Sequence, residues 1–494
     1  MNEFFDVSAL LQQLLSAGVQ PRRLTNDSRV VMVGDVFIAY PGHHVDGRQF
    51  IAMAVRQGAA AVLWERKGFT WDPSWQVPNV GISNLRDVAG LIAHQVYAHP
   101  SDNLALIGIT GTNGKTSCAH WISQALSAAG QRCALIGTLG NGFAGALSDS
   151  ANTTPDALTL HALLTDYREA GAVACAMEVS SIGLDQQRCA GARFEVAVFT
   201  NLSRDHLDYH RNMEAYAAAK KSLFMWPGLQ TAVINIDDPI GRKWAYASTA
   251  ARKIGYSLDG IESKLDCVLR AEGISQHADG QRFILQSPLG AALIETPLLG
   301  RYNVANLLAV AGALLARNIP FSSLPALLAG LVAAPGRLER LGGQGQPLVV
   351  VDYAHTPDAL DNALSALRLT AKARGGRLLC LFGCGGDRDR GKRPLMGQVA
   401  TRRADQVWLT SDNPRGEDPV AILAAIATAA PAVEIIVDRA EAIAQVIEGA
   451  AVNDVVLIAG KGHEHYQEIA GARYQFSDVA EVRAALARRQ EAAA

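Results

Sequence analysis

The sequence predicts an α/β protein of three domains, with a central P-loop-type ATPase domain and a C-terminal Rossmann-like domain. Three observations predict this. At 494 residues the chain exceeds what one core serves, at roughly 150 residues per domain. Short apolar, β-branched runs alternate with alanine- and leucine-rich helical stretches almost throughout. Two polar breaks, HPSDN at 99–103 and AAPGRLERLGGQGQP at 333–347, interrupt that alternation. The expected domains are therefore 1–100, 101–335 and 336–494.

Taken in order, the first unit holds the strand-like VGDVFIAYPG, a helix through FIAMAVRQG, the strand AAVLWE and the helix DVAGLIAHQVYA. After the first break, LALIGIT reads as a buried strand that runs through a glycine-rich turn into the helix TSCAHWISQALSAAG. The runs ACAMEV and VAVFTN read as further strands whose polar residues cluster at the carboxyl end. Past the second break LVVVDYA, RLLCLFG, DQVWLTSD, VEIIVD and DVVLIAG are strands with helices between them. In such a layout ligands gather at the carboxyl ends of strands.

Composition narrows the function. Hydrophobic residues make up 49% and charged residues 19% of a chain of net charge −2, which suits a compact fold and gives no electrostatic reason for a nucleic-acid or membrane partner. Seven scattered cysteines fit a reducing compartment. The N-terminus MNEFFDVSALLQQLL has no basic leader, and no apolar run reaches bilayer length. A cytoplasmic protein without membrane insertion is expected.

The strongest local signal is GITGTNGKTS. Gly111, Thr112, Asn113 and Gly114 form the turn, and Lys115, Thr116 and Ser117 open the helix. Glycines admit phosphate oxygens to backbone N–H groups, and the helix N-terminus adds donors and a favourable dipole. Lys115 would neutralise the β and γ phosphates of a nucleotide and the Thr116 hydroxyl would ligate Mg2+. The spacing departs by one residue from the usual phosphate-loop pattern, since position 109 is isoleucine. Two acid- and histidine-bearing strand ends accompany the loop: Glu178 in MEVSS, and Asp205, His206, Asp208 and His210 in NLSRDHLDYH. Glu178 and His206 are candidates for one Mg2+, the carboxylate better suited than the imidazole; helix capping is the competing role, and the expected one for Asp208 and His210. HEHYQ does not match the zinc-protease pattern, and DRDRG lacks the later ligands of a calcium loop.

GTNGKT, NTTPDA, MEVSSIGL, NLSRDHLDYH, the lysine of EAYAAAKKSLF, GRYNVANLLAV, GRLERL and VDYAHTPDAL occur in this order, preceded by NDSRV and GHHVDGR. Together they resemble the Mur ligase family of peptidoglycan synthesis, across nearly the whole chain. The resemblance implies an ATP-dependent amide ligase with small-molecule substrates that works through an acyl phosphate; a monomer is expected. It implies that Lys220 is carbamylated and holds a second Mg2+. Asn303, Arg337 of the hinge, Asp352 and His355 would contact ATP, with Lys115, Lys220 and Arg337 catalytic. The substrate UDP-N-acetylmuramoyl-L-alanyl-D-glutamate would lie on Asn26, Ser28, His43, His44 and Val45, then on Asn152, Thr153, Thr154, Ser180, Gln186 and Arg188. Two departures stand out: Ile182 occupies a position expected to be histidine, and Asn26 one that is often apolar.

The turn SDNPRGEDP closes the strand ADQVWLT. DNPR is similar to the signature of the members of this family that add meso-2,6-diaminopimelate, an amino acid that differs from lysine by a carboxylate on its far carbon. A guanidinium grips a carboxylate through two parallel hydrogen bonds, so Arg415 is the expected reader, on a turn stiffened by Pro414. Asp412, Asn413, Arg388, Gly460 and Glu464 complete the expected amino-acid site. The competing readings are a helix cap at this turn, a lysine-adding ligase, an NTP-hydrolysing switch and an idle sugar-nucleotide binder.

Overall fold

The protein is described here from a computed structural model covering residues 5–493 other than His44, Asp266, Asp279 and Pro431. Its backbone gathers into two compact units, one of residues 1–256, 263–267 and 312–318, the other of 257–262, 268–311 and 319–494.

The first unit carries two sheets. The smaller is parallel, in the order Leu24–Thr25, Val36–Ala39, Ala61–Glu65, Asn79–Ile82. Strand alternation divides its side chains between two cores. Val36, Ile38, Ala61 and Leu63 pack with Leu10, Leu14, Leu85 and Ile92, while Phe37, Ala39, Val62 and Trp64 pack with Ile51 and Ala54. Burial on both faces explains why AAVLWE reads as a continuous apolar run. In the larger sheet Ala105–Thr110 lies between Phe194–Phe199 and Ala174–Glu178, all parallel. Thr231–Asn235 and Arg252–Ser257 extend one side and Cys133–Gly137 the other. The neighbours of Ala105–Thr110 come later in sequence on both sides, so the carboxyl ends of three strands deliver Thr110, Glu178 and Phe199 to one edge.

The second unit contains, from residue 268 on, the antiparallel meander of strands Cys267–His277, Gly280–Ser287 and Gly290–Thr296, which sequence reading left unassigned. Its main sheet runs Glu339–Gly342, Leu348–Asp352, Val455–Ala459, Leu378–Phe382, Gln406–Leu409, Glu434–Ile435. All neighbours are parallel except the first pair. The last long strand in sequence thus sits in the middle, and the parallel strands end at Asp352, Ala459, Phe382 and Leu409 along the same edge. Beneath that edge Arg439 and Asp478 form a fully buried ion pair, with Nε and Nη2 each 2.7 Å from a carboxylate oxygen. The same guanidinium donates to the carbonyls of Ala459 (3.0 Å) and, at 3.4 Å, Ser411.

A buried charge stripped of its partner is strongly destabilising, whereas an apolar pair of similar volume is tolerated. Asp478→Ala is therefore expected to cost about 3–5 kcal/mol, read as a lower urea midpoint of the full chain. The double change Arg439→Met with Asp478→Leu recovers most of that loss; a single change without effect would count against the pair.

Among the described residues no helix is long and apolar enough to cross a membrane. All seven cysteines are buried and unbridged.

Candidate active site

The turn after Ala105–Thr110 is built by conformations only glycine adopts easily. Gly111 has φ +151°, and a Cβ there would stand 1.9 Å from Thr200 Oγ1. Gly114, at φ +87°, starts the helix Lys115–Ala128. The loop is tied to the strand end Phe199–Ser203. Thr200 Oγ1 donates to the Asn113 carbonyl (2.6 Å), Asn113 N to Asn201 Oδ1 (3.0 Å), and Thr112 Oγ1 to the Ser203 carbonyl (3.1 Å). Lys115 Nζ folds back onto the carbonyls of Gly111 and Thr112, 2.9 Å from each, spanning the cradle an anion would occupy. Strain at a position such as Gly111 costs roughly 1–3 kcal/mol. Gly111→Ala should accordingly weaken binding of a nucleoside triphosphate by about 5- to 150-fold in equilibrium titration; unchanged affinity would show that the loop does not hold phosphate.

Thr116 and Ser117 are buried in the first turn of the helix, and Thr116 Oγ1 donates to Glu178 Oε2 at 2.9 Å. Glu178, only 2% exposed, also accepts from Thr138 N (2.8 Å) and Thr138 Oγ1 (3.3 Å). A buried carboxylate beside a hydroxyl at a helix N-terminus is an oxygen donor set of the kind Mg2+ takes. Thr138 escaped sequence reading because a lone threonine after a strand carries no spacing signal. His206 lies against Asp205, its Nε2 3.5 Å from Oδ2, and against Tyr216, ring centroids 6.1 Å apart; no contact joins it to Glu178.

Lys220 is 1% exposed. Its Nζ donates to the Gly111 carbonyl at 2.8 Å and lies 4.5 Å from the centre of the Tyr216 ring. Burial, and then the nearby Lys115 charge, hold its pKa well below the ordinary lysine value, with Asp205 opposing them. The residue on the alanine-rich helix Met213–Lys221 is thus a buried amine touching the phosphate loop, not a solvated surface lysine.

From Glu178 a polar relay runs away from the loop. Thr153 Oγ1 meets Thr138 Oγ1 at 3.0 Å, and Thr154 Oγ1 donates to the Glu178 carbonyl (2.9 Å). Ser180 N donates to Thr154 Oγ1, and Ser180 Oγ caps the short helix Ser181–Asp185. Arg188 reaches the Thr154 carbonyl (2.8 Å) and Gln186 Oε1 (2.8 Å); Gln186 Nε2 donates to Tyr209, whose hydroxyl donates to Asp185 and lies 3.5 Å from His43 Nε2. The structure therefore brings Thr153, Thr154, Ser180, Gln186, Arg188 and His43 into one network. Asn152 accepts from Ser150 through its carbonyl, Asn26 reaches Tyr40 at 3.4 Å, Ser28 is buried and Val45 exposed; these four stand outside that network, and His44 lies outside the described residues. Ile182 puts an apolar side chain next to Ser181, whose hydroxyl meets His210 Nε2 at 2.9 Å.

In the second unit Asp352 ends its strand with Oδ2 accepting from Leu338 N (2.7 Å) and Oδ1 from Ala354 N (2.8 Å). Burial raises its pKa, against the pull of Arg337. The Arg337 guanidinium lies 4.7 Å from the Tyr353 ring centre with Nε unpartnered. Gly336 allows this path, since a Cβ there would meet His463 N at 2.2 Å. His355 Nδ1 contacts the Tyr353 carbonyl, and Lys392 Nζ donates to the His355 carbonyl. Asn303 is buried on the helix Arg301–Ala316, donating to the Leu299 carbonyl and accepting from Asn306.

The DNPR turn is locked by partners far away in sequence. Asn413 Nδ2 donates to Glu464 Oε2 (2.7 Å), and Asn413 Oδ1 accepts from Lys461 Nζ (2.9 Å) and Glu468 N (3.0 Å). Lys461, fully buried, also donates to Glu464 at 2.9 Å. Sequence reading missed Lys461 because a lysine within GKGHE looks solvated. Asp412 Oδ1 accepts from Asn413 N (2.7 Å), and a Cβ on Gly460 would come within 2.4 Å of Asp412 Oδ2, so Gly460 serves by lacking a side chain. Arg415 adopts φ +50°, pinned by N donating to the Glu468 carbonyl (3.0 Å) and O accepting from Ala470 N (2.7 Å). One N–H of Nη1 is used by the Gly386 carbonyl at 2.9 Å, and Nε lies 3.6 Å from Glu468 Oε2. Arg388 is exposed, and the hydrogen bond it makes is to the Asp387 carbonyl; it stands apart from the network. A further buried cation here is Arg393, whose two-pronged pairing with Glu417 holds that carboxyl down at about 2.

Residues 22–97 match the Mur ligase family, catalytic domain; 109–314 the Mur ligase middle domain; and 336–462 the Mur ligase, glutamate ligase domain. The UDP-N-acetylmuramoyl-L-alanyl-D-glutamate–2,6-diaminopimelate ligase of Pseudomonas aeruginosa is 52% identical over 469 residues, 94% of this chain and 95% of its own. Its Chromobacterium violaceum counterpart is 49% identical over 475 residues, 95% and 94% of the two chains. A solved structure of a ligase of the same name superposes with TM-score 0.70 at 40% identity, covering 95% of each chain. The MurF ligase of Thermotoga maritima in complex with ADP shares the fold, with TM-score 0.66 at 20% identity over 96% of this chain and 99% of that one.

Proposed function

The chain belongs to the Mur ligase family, and on that premise we propose that it is the ATP-dependent ligase adding meso-2,6-diaminopimelate to UDP-N-acetylmuramoyl-L-alanyl-D-glutamate in peptidoglycan synthesis. The observation that carries the choice of amino acid is the DNPR turn, where Asn413 is fixed by Lys461 and Glu464 and Arg415 is held rigid with guanidinium N–H groups to spare.

The side-chain carboxylate of D-glutamate attacks the γ-phosphorus of ATP; a P–O bond forms and ADP leaves. Lys115 moves from its two carbonyls onto the phosphates and takes up the charge of the transferred group, with the loop N–H groups around Gly111–Gly114. The relay from Thr153 to Arg188 orients the muramoyl peptide by hydrogen bonds that replace water. The amine of diaminopimelate then attacks the acyl carbon, phosphate departs, the nitrogen loses a proton and the amide remains. Thr116 and Glu178 fit a Mg2+ ion, which when bound neutralises phosphate charge; His206 is the further ligand suggested by sequence. Lys220, as a carbamate, would supply a second carboxylate next to the loop.

Asn303, Arg337, Asp352 and His355 we assign to the nucleotide, and Arg388 to the amino acid, on resemblance. We assign residues 1–100 to UDP-sugar binding, 101–335 to ATP binding and 336–494 to amino-acid binding. We further propose a cytoplasmic monomer, in keeping with the unbridged cysteines.

The test is ADP release with each substrate omitted in turn, then with lysine in place of meso-diaminopimelate. Release should require all three substrates and fall away with lysine. Equal turnover with lysine would identify a lysine-adding ligase, and release without any acceptor an NTP-hydrolysing switch.

A further inference from the structure

Away from the active site, the first unit gathers three histidines and an aspartate. His94 lies in the last turn of the helix Leu85–Val96, and His99 and Asp102 follow as the chain turns through Pro100–Asp102. The fully buried His161 comes from the helix Ala157–Glu169. One ligand atom each from His94, His99 and Asp102 can be chosen so that all three lie within 4.8 Å of one another. His94 Nε2 stands 3.8 Å from Asp102 Oδ1, too far for a hydrogen bond. Two ligand atoms sharing a tetrahedral metal at ordinary bond lengths are separated by ~3.4 Å, so a small side-chain rotation suffices.

The second observation lies behind these side chains. The His161 ring is 5.2 Å from that of His94, centroid to centroid. His161 Nε2 is 2.9 Å from the Ala190 carbonyl, which only accepts, so Nε2 carries the proton and Nδ1 presents a lone pair. That Nδ1, and Nδ1 of His94, are buried without a hydrogen-bond partner. Buried unpaired polar atoms cost about 1–3 kcal/mol each, and here two fall in neighbouring rings. Binding a metal through His94 Nε2 would leave the proton on His94 Nδ1, and His161, whose ring is 5.2 Å away, offers an acceptor for it through a side-chain rotation or one water. An imidazole ligand backed by a second group in this way is the usual outer arrangement of a histidine-bound metal. Gly90 permits the approach of the two segments, since a Cβ there would meet the Ala190 carbonyl at 2.1 Å.

We propose that His94, His99 and Asp102 bind a divalent transition-metal ion of the zinc or cobalt class, with His161 orienting His94. Two imidazoles and one carboxylate select such ions over Mg2+, and His99 and Asp102 are exposed, leaving the ion a way in. Arg193, 3.5 Å from Asp102 and itself 60% exposed, swings away into solvent on binding. The ion would staple the end of one helix to the turn that follows it, raising stability as any ligand of the native state does.

The experiment titrates chelator-treated full-length protein with Co2+, following visible ligand-field absorption, and repeats it with His99→Gly, which suits the local φ of +53°, and with Asp102→Asn. One equivalent should bind the parent protein with a four-coordinate spectrum, at least ~10-fold more tightly than either variant. Zn2+ should raise Tm in the parent protein alone. A parent protein that takes up no Co2+, leaving a buried water to satisfy the two Nδ1 atoms, overturns the proposal. So does a band that persists unchanged in both variants.

Discussion

Lys220→Ala lowers the rate of amide formation by on the order of 10³-fold, and small carboxylates such as formate or acetate restore part of it. Burial, and then the nearby Lys115 charge, hold the pKa of this amine well below the ordinary lysine value. A neutral amine attacks carbon dioxide: an N–C bond forms as a C=O π bond opens onto oxygen, a proton leaves the nitrogen, and a neutral side chain becomes an anionic one. Because the pKa is depressed, the reactive form is available at pH values where an ordinary lysine is almost wholly protonated. The anion would stand beside Gly111 and Lys115, where phosphate charge must be balanced by metal. A purely structural role is the competing account, since Nζ also braces the Gly111 carbonyl. The two accounts separate in the rescue. An added carboxylate replaces a missing negative charge, but does not rebuild an N–H donor to a carbonyl. Steady-state rates with and without formate, together with parent-protein rates in buffer stripped of carbon dioxide, decide between them. Full activity in stripped buffer, with no rescue of the variant, would remove the carbamate.

The parts of this molecule legible in the sequence are those whose physics is local. GTNGKT announces its turn because positive φ needs glycine and phosphate needs a helix N-terminus, and both demands fall within seven residues. LVVVDYA and DVVLIAG betray parallel strands because burial on both faces removes polar residues from the run. What stayed hidden depends on contacts distant in sequence. Thr138 joins Glu178 across forty positions, and Lys461 joins Asn413 across forty-eight. Arg393 looked like one more cation in DRDRGKRP, yet it is buried against Glu417, while Arg388 beside it is exposed. Which arginine points inward is decided by the packing of the helix Lys392–Arg403, not by the motif. The meander 267–296 escaped because its glutamate, glutamine and arginine residues alternate with apolar ones at a solvated surface, without the uninterrupted apolar stretch that marks the buried strands.

Arg415→Ala abolishes useful turnover of meso-diaminopimelate, with kcat/KM falling about 10⁴-fold, while ATP affinity changes less than twofold. A site built to pair a substrate charge suffers when either member is missing, because the remaining one stays desolvated. The turn around Arg415 is rigid before substrate arrives. Its N–H and carbonyl are bonded to Glu468 and Ala470, and its Nη1 to Gly386. Little conformational entropy is therefore lost when a carboxylate docks, and little freedom exists for another side chain to take over. Arg415→Lys tests the geometry separately from the charge. An ammonium keeps the charge but loses the planar pair of donors, so this variant should recover only a small part of the loss. The parent enzyme should treat lysine, which lacks the distal carboxylate, as poorly as Arg415→Ala treats meso-diaminopimelate. If instead Arg415→Ala turns over both amino acids at the parental rate, the distal carboxylate is read elsewhere in the second unit. Arg388 would then be the first residue to replace.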